Sequence, residues 1–568
     1  MVTHRSPSDS IVPPMRSRWQ LITLILIVLL GGVLRFRHLD WAKGYYFQPD
    51  ESVHTIDYLL RMPALNPYEA GAYTYGGLPL YLYRFSARFM AALTGDAAWE
   101  EKWHITLVAR GYAATASTLI ILLLYLLSYK LGMRRTAWIP ALAFAVSPLA
   151  IQYAHYGVVD TLLTFWVVLV SLLSLWAWEE KSGRRWTVVG FVWGLAIATK
   201  TSALIWGIVL ALGSWQQWRQ THSVLATVSP LVWGGFGAVI GVLIGSPYYI
   251  LDWQSFRQIM MMQAGKTVTG RILCTYHWQF LNVRPFLFEM EQLGRWAVGS
   301  LLGVVAGVGV IGLWKEMLCS PHRRHWAFVL LPVTLYFGTI GLWHSKFIRY
   351  LLPVVPYVCL GAAWPLDAVM RSPRQVGKWI TGLLTTLALL HSAILGIAMS
   401  NVFRGPDPRI AASQWMLEHV PPGAAILHDP EPLIILPIGV AEHYQIQILD
   451  LYGNGMQNIN NPEFYVQAME GKQYVVIVSR RNYGAIYHLR ALFPVAACYY
   501  RSLFDGRLGY SLVARFSNYP HIANWRWNTD EAEETFQVFD HPVVYIFQCS
   551  QVQTPEQIRS TLEACLRP

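Results

Sequence analysis

Long apolar runs, separated by short polar connections, fill the first 400 positions of the chain. A helix that crosses the hydrocarbon core of a bilayer needs ~20 apolar residues. Runs of this kind begin near eleven positions: 19, 105, 137, 159, 186, 203, 224, 296, 326, 348 and 379. The fifth and sixth are short and interrupted at ATKTSA, residues 198–203, so they also fit a shallow hairpin that does not cross fully. The pattern predicts an α-helical polytopic membrane protein with about 11 transmembrane helices.

The pattern changes from residue 401 onward, where apolar runs shorten, prolines cluster and charges are interspersed. The short apolar runs AAILHD, IQILDLY, YVVIVS and VVYIF predict strands, whereas IAASQWMLEHV and PEQIRSTLEACL predict helices. We therefore expect a transmembrane domain over residues 1–400 and a soluble α/β domain over residues 401–568.

Composition agrees with this class, because 54% of the 568 residues are hydrophobic and 14% are charged. The net charge of +11 comes from short basic clusters between apolar runs, which is a membrane-orientation pattern and argues against a nucleic-acid partner. Every second connection is basic and is expected to face the cytoplasm; the clusters include Arg5, Arg16, Arg18, Lys130, Arg134, Arg135, Lys181, Arg184, Arg185, Arg371, Arg374 and Lys378.

This orientation places the N-terminus in the cytoplasm, with Trp19 to Leu34 as a retained first span. The loops over residues 37–104 and 247–295 and the C-terminal domain are then extracytoplasmic. The six cysteines show no zinc-binding spacing. A disulfide among Cys498, Cys549 and Cys565 is compatible with an oxidising compartment.

Two adjacent carboxylates, Asp50 and Glu51, lie in the stretch YYFQPDESVH of the first of these loops. Neighbouring side chains on a helix point about 100° apart, so one would act on a substrate and the other would support it. The alternative is a plain helix start, which suits Pro49 followed by acidic residues.

A second acidic position, Asp160, begins an otherwise apolar helix in IQYAHYGVVDTLLTFW, and His155 precedes it. An ionisable residue at such a place usually faces a cavity or a partner, although it can also serve as a favourable N-terminal charge. Because Asp50 and Asp160 are expected at the same membrane face, they could share a metal ion or an acceptor. Oxygen ligands of this kind, with Glu51 and His155 beside them, would suit a divalent cation.

Three cations are expected at the same face: Lys200 in ATKTSA, and Lys346 and Arg349 in HSKFIRYLLP. The last two are three residues apart, as on one face of a helix. Such side chains can merely extend to lipid headgroups. The bias against lysine and arginine in short outer connections instead favours an anionic partner such as phosphate.

The loop over residues 246–294 mixes aromatic residues with methionines, Arg271 and His277. It fits a lid or an interfacial helix, and its aromatic residues fit either a sugar ring or an interfacial belt. Side chains of this type in the outer segments form the candidate acceptor and sugar side of a site: His155, Tyr75, Tyr276 and His277. No Walker loop, dinucleotide fingerprint, GxSxG or HExxH occurs, so no nucleotide cofactor is expected.

Four motifs occur in an order that resembles the GT-C glycosyltransferases of family 39, the protein O-mannosyltransferase and aminoarabinose transferase superfamily. They are F-x-P-D-E over residues 47–51, SPLAIQYAHYGVVDTLLTF, GLAIATKTSAL and KFIRYLLPVVPY. The resemblance covers most of the chain. It implies a GT-C fold and inverting transfer of a sugar from a polyprenyl phosphate to a hydroxyl on protein, lipid or polysaccharide.

The resemblance also implies roles for individual residues. Asp50 would be the general base, Glu51 its neighbour and Asp160 the second-loop acid, while Lys346, Arg349 and Lys200 would bind the donor phosphate. One motif departs from the family, because YGGLPLY stands where some relatives carry a lysine in K-P-P-L. Gly77 and Leu78 cannot supply that charge, so Arg84 or Arg271 are the candidates to replace it.

Two other functional classes fit a membrane protein with charged residues. A transporter or flippase of a lipid-linked sugar should have charges deep in the membrane and repeated halves, whereas here the charges concentrate at one face and no inverted repeat is evident. A noncatalytic scaffold would leave the arrangement of acids and cations without a purpose. The sequence therefore favours a glycosyltransferase of the bacterial cytoplasmic membrane, with the sugar and the acceptor left open.

Overall fold

The computed structural model of the chain describes residues 18–62, 66–69, 73–178, 184–271, 275–373, 375–429, 440–451 and 457–566. Arg5, Arg16, Lys181 and Arg374 of the basic clusters lie outside these residues. The chain divides into two compact units. The first comprises Met1–Leu39, Asp50–Met261 and Arg284–Ser400, and the second comprises Asp40–Pro49, Met262–Val283 and Asn401–Pro568.

Within the described ranges, seven helices are long and apolar enough to cross a membrane: Arg18–Phe36, Lys102–Lys130, Val159–Ala177, Val224–Gly245, Ser300–Cys319, Arg323–Leu342 and Gln375–Val402. Two more of the eleven predicted spans are shorter apolar helices, Arg185–Thr199 and Val355–Met370. The predicted class of helical integral membrane protein with a small C-terminal sheet domain is confirmed. The remaining two apolar runs are broken into shorter helical segments.

The run that begins near residue 137 is broken into two short helices, Trp138–Ala145 and Pro148–Ala154. Pro148 has no N–H to donate to the carbonyl of Phe144. The buried guanidinium of Arg35 donates to that carbonyl at 2.8 Å and to the carbonyl of Ala145 at 2.7 Å. An arginine in the first span thus satisfies the backbone groups that the break leaves free.

The interruption predicted at residues 198–203 is present. Helix Arg185–Thr199 ends at Lys200, whose backbone is extended, and a 3₁₀ turn, Thr201–Gly207, leads into helix Ile208–Thr221. Helix Arg185–Thr199 packs closely on Val224–Gly245, since a Cβ on Gly190 would lie 1.8 Å from the carbonyl oxygen of Gly234. The packing continues at the end of the helix before Lys200, where a Cβ on Gly245 would lie 2.6 Å from the Cβ of Ala198.

The other helical segments of the first unit lie between these spans in the sequence. The α-helices are Pro49–Glu51, Asp57–Arg61, Gly77–Thr94, Tyr248–Leu251, Trp253–Gln263 and Leu287–Glu291. Ser52–Ile56 and Gln292–Ala297 are π-helical, and Ala97–Glu100, Pro321–Trp326 and Ile348–Leu351 are 3₁₀ turns.

The second unit is built on a mixed sheet. Its strands are β1 Ala425–Asp429, β2 Gln445–Ile448, β3 Tyr474–Ile477, β4 Tyr510–Phe516 and β7 Val544–Cys549, and a small hairpin adds β5 His521–Ile522 and β6 Trp525–Arg526. The five longer strands lie in the order β2-β1-β3-β7-β4. β1 is parallel to β2 and β3, and β7 is antiparallel to β3 and β4. Side chains alternate along each strand, so Leu427 and Ile426 belong to separate apolar clusters.

Helices accompany this sheet: Thr275–Trp278, Pro408–His419, Val440–His443, Pro462–Met469, Arg481–His488, Pro494–Phe504 and Pro555–Glu563, with a π-helical segment Ala264–Val268 and 3₁₀ turns Glu534–Phe536 and Ala564–Leu566. The four runs expected to be strands correspond to β1, β2, β3 and β7, and both expected helices are present. Cys498 and Cys565 form a disulfide, while Cys549 is free.

Candidate functional site

The adjacent carboxylates begin a helical turn, Pro49–Glu51, which continues through the π-helical Ser52–Ile56. The helix start that was the alternative interpretation is therefore present, and the two acids engage in different contacts. Asp50 remains partly accessible, with 14% of its side chain exposed, whereas Glu51 is fully buried. Of the two carboxylates, only Asp50 is therefore within reach of a ligand.

Both carboxylate oxygens of Asp50 accept hydrogen bonds. Oδ1 accepts from the Tyr75 hydroxyl at 2.7 Å, and Oδ2 accepts from a guanidinium nitrogen of Arg349. Burial raises the pKa of Asp50, but the charges of Arg349 and His54, the hydrogen bond from Tyr75 and the charge of Lys200 together outweigh burial and lower it to about 2. Asp50 is therefore ionised at neutral pH.

Glu51 is held by Arg110, a residue of helix Lys102–Lys130 that sequence reasoning did not single out. Nε and Nη2 of Arg110 donate to the two carboxylate oxygens at 2.9 and 2.6 Å, and the backbone N–H of Gly157 donates at 2.6 Å. Arg110 also donates to the carbonyl of Leu39 at 2.7 Å. Glu51 thus joins the loop after the first span to the loop that precedes Asp160.

Lys200 and Asp160 form an ion pair. Nζ of Lys200 donates to Oδ1 of Asp160 at 2.7 Å, and 15% of the lysine side chain is exposed. The ammonium group also lies 5.6 Å from the ring centroid of Tyr75 and 5.2 Å from that of Tyr350. The structure therefore brings together five residues, one from each of the four motifs and one from YGGLPLY: Asp50, Asp160, Lys200, Arg349 and Tyr75.

The glycines of YGGLPLY allow the chain that carries Tyr75 to approach this site. Gly76 donates from its N–H to the carbonyl of Thr199 at 3.1 Å, and Gly77 donates to the Ser246 hydroxyl at 3.1 Å. A Cβ on Gly76 would lie 1.8 Å from the carbonyl oxygen of Ala198. The motif that departs from the K-P-P-L pattern consequently has a packing role beside Lys200.

Gly76→Ala should lower the thermal unfolding midpoint of the purified protein, because the added methyl group cannot share space with the Ala198 carbonyl. We expect a loss of about 1–3 kcal/mol, as is typical of overpacking. Gly111→Ala is the matched control, since apart from the adjacent backbone of its own helix no heavy atom of the described residues lies within 4 Å of its added Cβ. Equal midpoints for Gly76→Ala and the wild-type protein would contradict the close approach.

Lys346 does not share a helical face with Arg349, which corrects the spacing argument. Residues 343–347 are not helical, and the 3₁₀ turn begins at Ile348. Nζ of the buried Lys346 donates to Oε1 of Glu289 and to the carbonyl of Gly341, each at 2.7 Å. Sequence reasoning missed Glu289, which lies 57 residues away, and the pair anchors the segment that leads to Arg349.

The remaining predicted site residues have other surroundings. The ring nitrogens of the buried His155 lie 2.8 and 2.9 Å from the carbonyl oxygens of Ile151 and Arg37. Arg84 donates to the carbonyl of Met62 at 2.6 Å. Arg271, Tyr276 and His277 belong to the second unit. Arg271 is exposed, His277 is buried, and the Tyr276 ring lies 5.7 Å from the Arg481 guanidinium.

The acids do not form a ready set of metal ligands. Asp50 already accepts from Tyr75 and Arg349, and Asp160 accepts from Lys200. Over the described ranges, no three His, Cys, Asp or Glu residues come together in a way that could hold a metal ion. Both acids are instead paired with cations of the protein itself.

Comparison with known proteins gives a consistent class. Residues 82–250 match the family described as dolichyl-phosphate-mannose-protein mannosyltransferase. The chain is 26% identical over 305 residues to an undecaprenyl phosphate-alpha-4-amino-4-deoxy-L-arabinose arabinosyl transferase of Pseudomonas paraeruginosa, and 33% identical over 305 residues to one of Pseudomonas aeruginosa. Each alignment covers 50% of this chain and 50% of the relative, so the chain spans about half the length of these curated relatives.

A solved structure agrees in fold. The oligosaccharyltransferase of Archaeoglobus fulgidus, tethered with an acceptor peptide, matches with a TM-score of 0.50 at 13% sequence identity, over 94% of this chain and 89% of that protein. The resemblance to the GT-C glycosyltransferases is therefore confirmed: the chain has their fold, and its residues 82–250 match the dolichyl-phosphate-mannose-protein mannosyltransferase family.

Proposed function

We propose that the protein transfers a sugar from a polyprenyl-phosphate donor to an acceptor hydroxyl, with inversion at the anomeric carbon. The observation that carries this proposal is the partly exposed Asp50 carboxylate beside two cations, Arg349 and Lys200. The names of the curated relatives, which are undecaprenyl-phosphate-dependent sugar transferases, support the donor class.

The reaction requires opposite charges on the two sides of the anomeric carbon. The acceptor oxygen forms a bond to that carbon while the bond from the carbon to the phosphate oxygen breaks. Asp50 takes the hydroxyl proton, and the electron pair leaves with the phosphate. A carboxylate that is ionised at neutral pH can act as a general base, which typically contributes about 10²–10⁴-fold to the rate.

Arg349 and Lys200 stabilise the negative charge that develops on the leaving phosphate. Asp160 holds Lys200 in place through its ion pair, and Tyr75 links Asp50 to Lys200. Lys346 is not assigned to the phosphate here, because its ammonium group is buried against Glu289. Its role in the proposal is to position the segment that carries Arg349.

The site and the second unit are proposed to lie on the extracytoplasmic side of a bacterial cytoplasmic membrane. The basic connections support this orientation through the positive-inside rule. The disulfide between Cys498 and Cys565 supports it further, because disulfides persist in oxidising compartments.

Mass analysis of membranes with and without the protein tests the activity. Supplied with polyprenyl-phosphate sugar, membranes that contain the protein should accumulate one acceptor species heavier by one sugar unit. Asp57→Asn is a suitable expression control, because Asp57 pairs with Lys102 at 2.6 Å rather than with the cations of the site. Identical acceptor spectra with and without the protein would refute the proposed transfer.

Lys200→Gln should weaken binding of undecaprenyl phosphate about tenfold or more, because a charge-assisted contact to phosphate contributes roughly 1.5–3 kcal/mol. The measurement is equilibrium binding of labelled lipid to the purified full-length protein. Lys315→Gln is the control, as Lys315 is an exposed residue of helix Ser300–Cys319 and should leave affinity unchanged. Unchanged affinity in Lys200→Gln would remove this lysine from the phosphate site.

A further inference from the structure

The base and one phosphate-binding cation of the proposed reaction are bonded to each other. Arg349 donates to Oδ2 of Asp50, and the exposed fractions of the two side chains are 18% and 14%. Both groups are therefore partly accessible to a ligand, but in this structure they are hydrogen-bonded to each other. In this arrangement Asp50 cannot offer Oδ2 to an acceptor hydroxyl.

Arg349 has donor capacity that this contact leaves unused. Its Nε is buried, and among the described residues no acceptor lies within hydrogen-bonding reach of it. A guanidinium presents parallel donors that match two oxygens of one phosphate group. A phosphate that engaged Nε together with the terminal nitrogens would compete directly with Asp50.

We propose that Arg349 exchanges partners during the reaction: the donor phosphate takes over Arg349 and thereby releases Asp50 to act as the base. The inference rests on the proposed function and adds an order of binding to it. Donor must bind before the acceptor hydroxyl can be deprotonated, so that water or acceptor is not activated in the empty site.

The charge balance around Asp50 agrees with this exchange. Arg349 is the strongest of the influences that lower the pKa of Asp50, ahead of His54, Tyr75 and Lys200. A phosphate that neutralises Arg349 would raise the pKa of Asp50, since a carboxylate beside a less positive group binds its proton more tightly. A base whose pKa rises toward the working pH accepts a proton more readily.

The neighbouring charged and titratable groups keep their partners in this scheme. Lys200 stays on Asp160, Tyr75 stays on Oδ1 of Asp50, and Tyr350 lies under both Arg349 and Lys200. The exchange therefore involves a single contact, between Arg349 and Oδ2.

The test is a double-mutant cycle on the affinity of the purified full-length protein for undecaprenyl phosphate. Asp50→Asn removes the competing charge, so we expect it to bind the lipid about tenfold more tightly than the wild type, or ~1.4 kcal/mol. Arg349→Gln should bind more weakly. In the Arg349→Gln background, adding Asp50→Asn should bring no further gain, because the competition no longer exists.

Two outcomes would overturn the exchange: equal or weaker binding by Asp50→Asn, or the same gain in the Arg349→Gln background, which would be a general charge effect. Thermal unfolding of each variant checks the fold, and Asp50→Ser serves as a second variant that removes the same charge. A wild-type protein that does not bind the lipid would overturn the proposed donor, and the exchange with it.

Discussion

Asp50→Asn should reduce sugar transfer by about 10²–10⁴-fold, the usual contribution of a general base. The amide has nearly the same shape and can still accept the hydrogen bond that Tyr75 donates, but it cannot take a proton. The initial rate of transfer in proteoliposomes with a polyprenyl-phosphate sugar donor is the measurement. The loss should appear in the turnover rate. The affinity for the donor should not fall, and we expect it to rise.

Asp57→Asn is the matched control for this experiment. Asp57 follows Asp50 by two short helical turns, pairs with Lys102 and has 27% of its side chain exposed. It should retain nearly full activity. Wild-type turnover by Asp50→Asn would eliminate Asp50 as the base. Asp160 would then be the next candidate among the acids of the site.

Arg110→Gln should strongly destabilise the protein. Glu51 and Arg110 are both fully buried, and removal of one member leaves an unpaired buried charge, which typically costs about 3–5 kcal/mol. A large fall in the thermal unfolding midpoint in detergent, or a loss of folded yield, is the expected result. Asp50 would also lose its fixed position, because Glu51 is the adjacent residue of the same turn.

Arg88→Gln provides the comparison, since Arg88 pairs with Glu100 at 3.4 Å and the side chains are 48% and 53% exposed. Exposed pairs contribute about 0–1 kcal/mol, so this variant should unfold almost as the wild type does. Equal destabilisation by Arg110→Gln and Arg88→Gln would show that burial of the pair between Glu51 and Arg110 does not increase its contribution to stability.

The sequence predicts the class of fold because the signals are local. Apolar runs of spanning length and short β-branched runs depend on neighbouring residues alone. The break at Pro148 also has a local signal, but its stabilisation by Arg35 does not, because the two residues are more than a hundred positions apart. Strand β4 was not foreseen, since its sequence, YSLVARF, is largely exposed and carries no continuous apolar run.

Partners within the site depend on distant contacts, which explains what sequence reasoning missed. Asp50, Lys200 and Arg349 were each identifiable as charges in motifs at one membrane face. The pairing of Lys346 with Glu289 could not be foreseen, because the two residues are 57 positions apart. The helix expected over residues 346–349 is also absent, because the chain before Ile348 is irregular. Arg110 gave no signal either, because a single arginine in a long helix resembles an interfacial charge.

The disulfide of the second unit has a consequence for the timing of biosynthesis. Cys498 and Cys565 are 67 residues apart, so the bond cannot form until the later cysteine has been synthesised and has met an oxidant. Until then helix Pro555–Glu563 is held by noncovalent contacts, among them Arg559 with Glu463 at 2.7 Å. Closing a loop of this size stabilises a domain by roughly 4 kcal/mol in the chain-entropy model. On the extracytoplasmic side proposed for it, maturation of this unit would be coupled to the thiol-oxidation machinery, and cells deficient in that machinery should accumulate a protease-sensitive form.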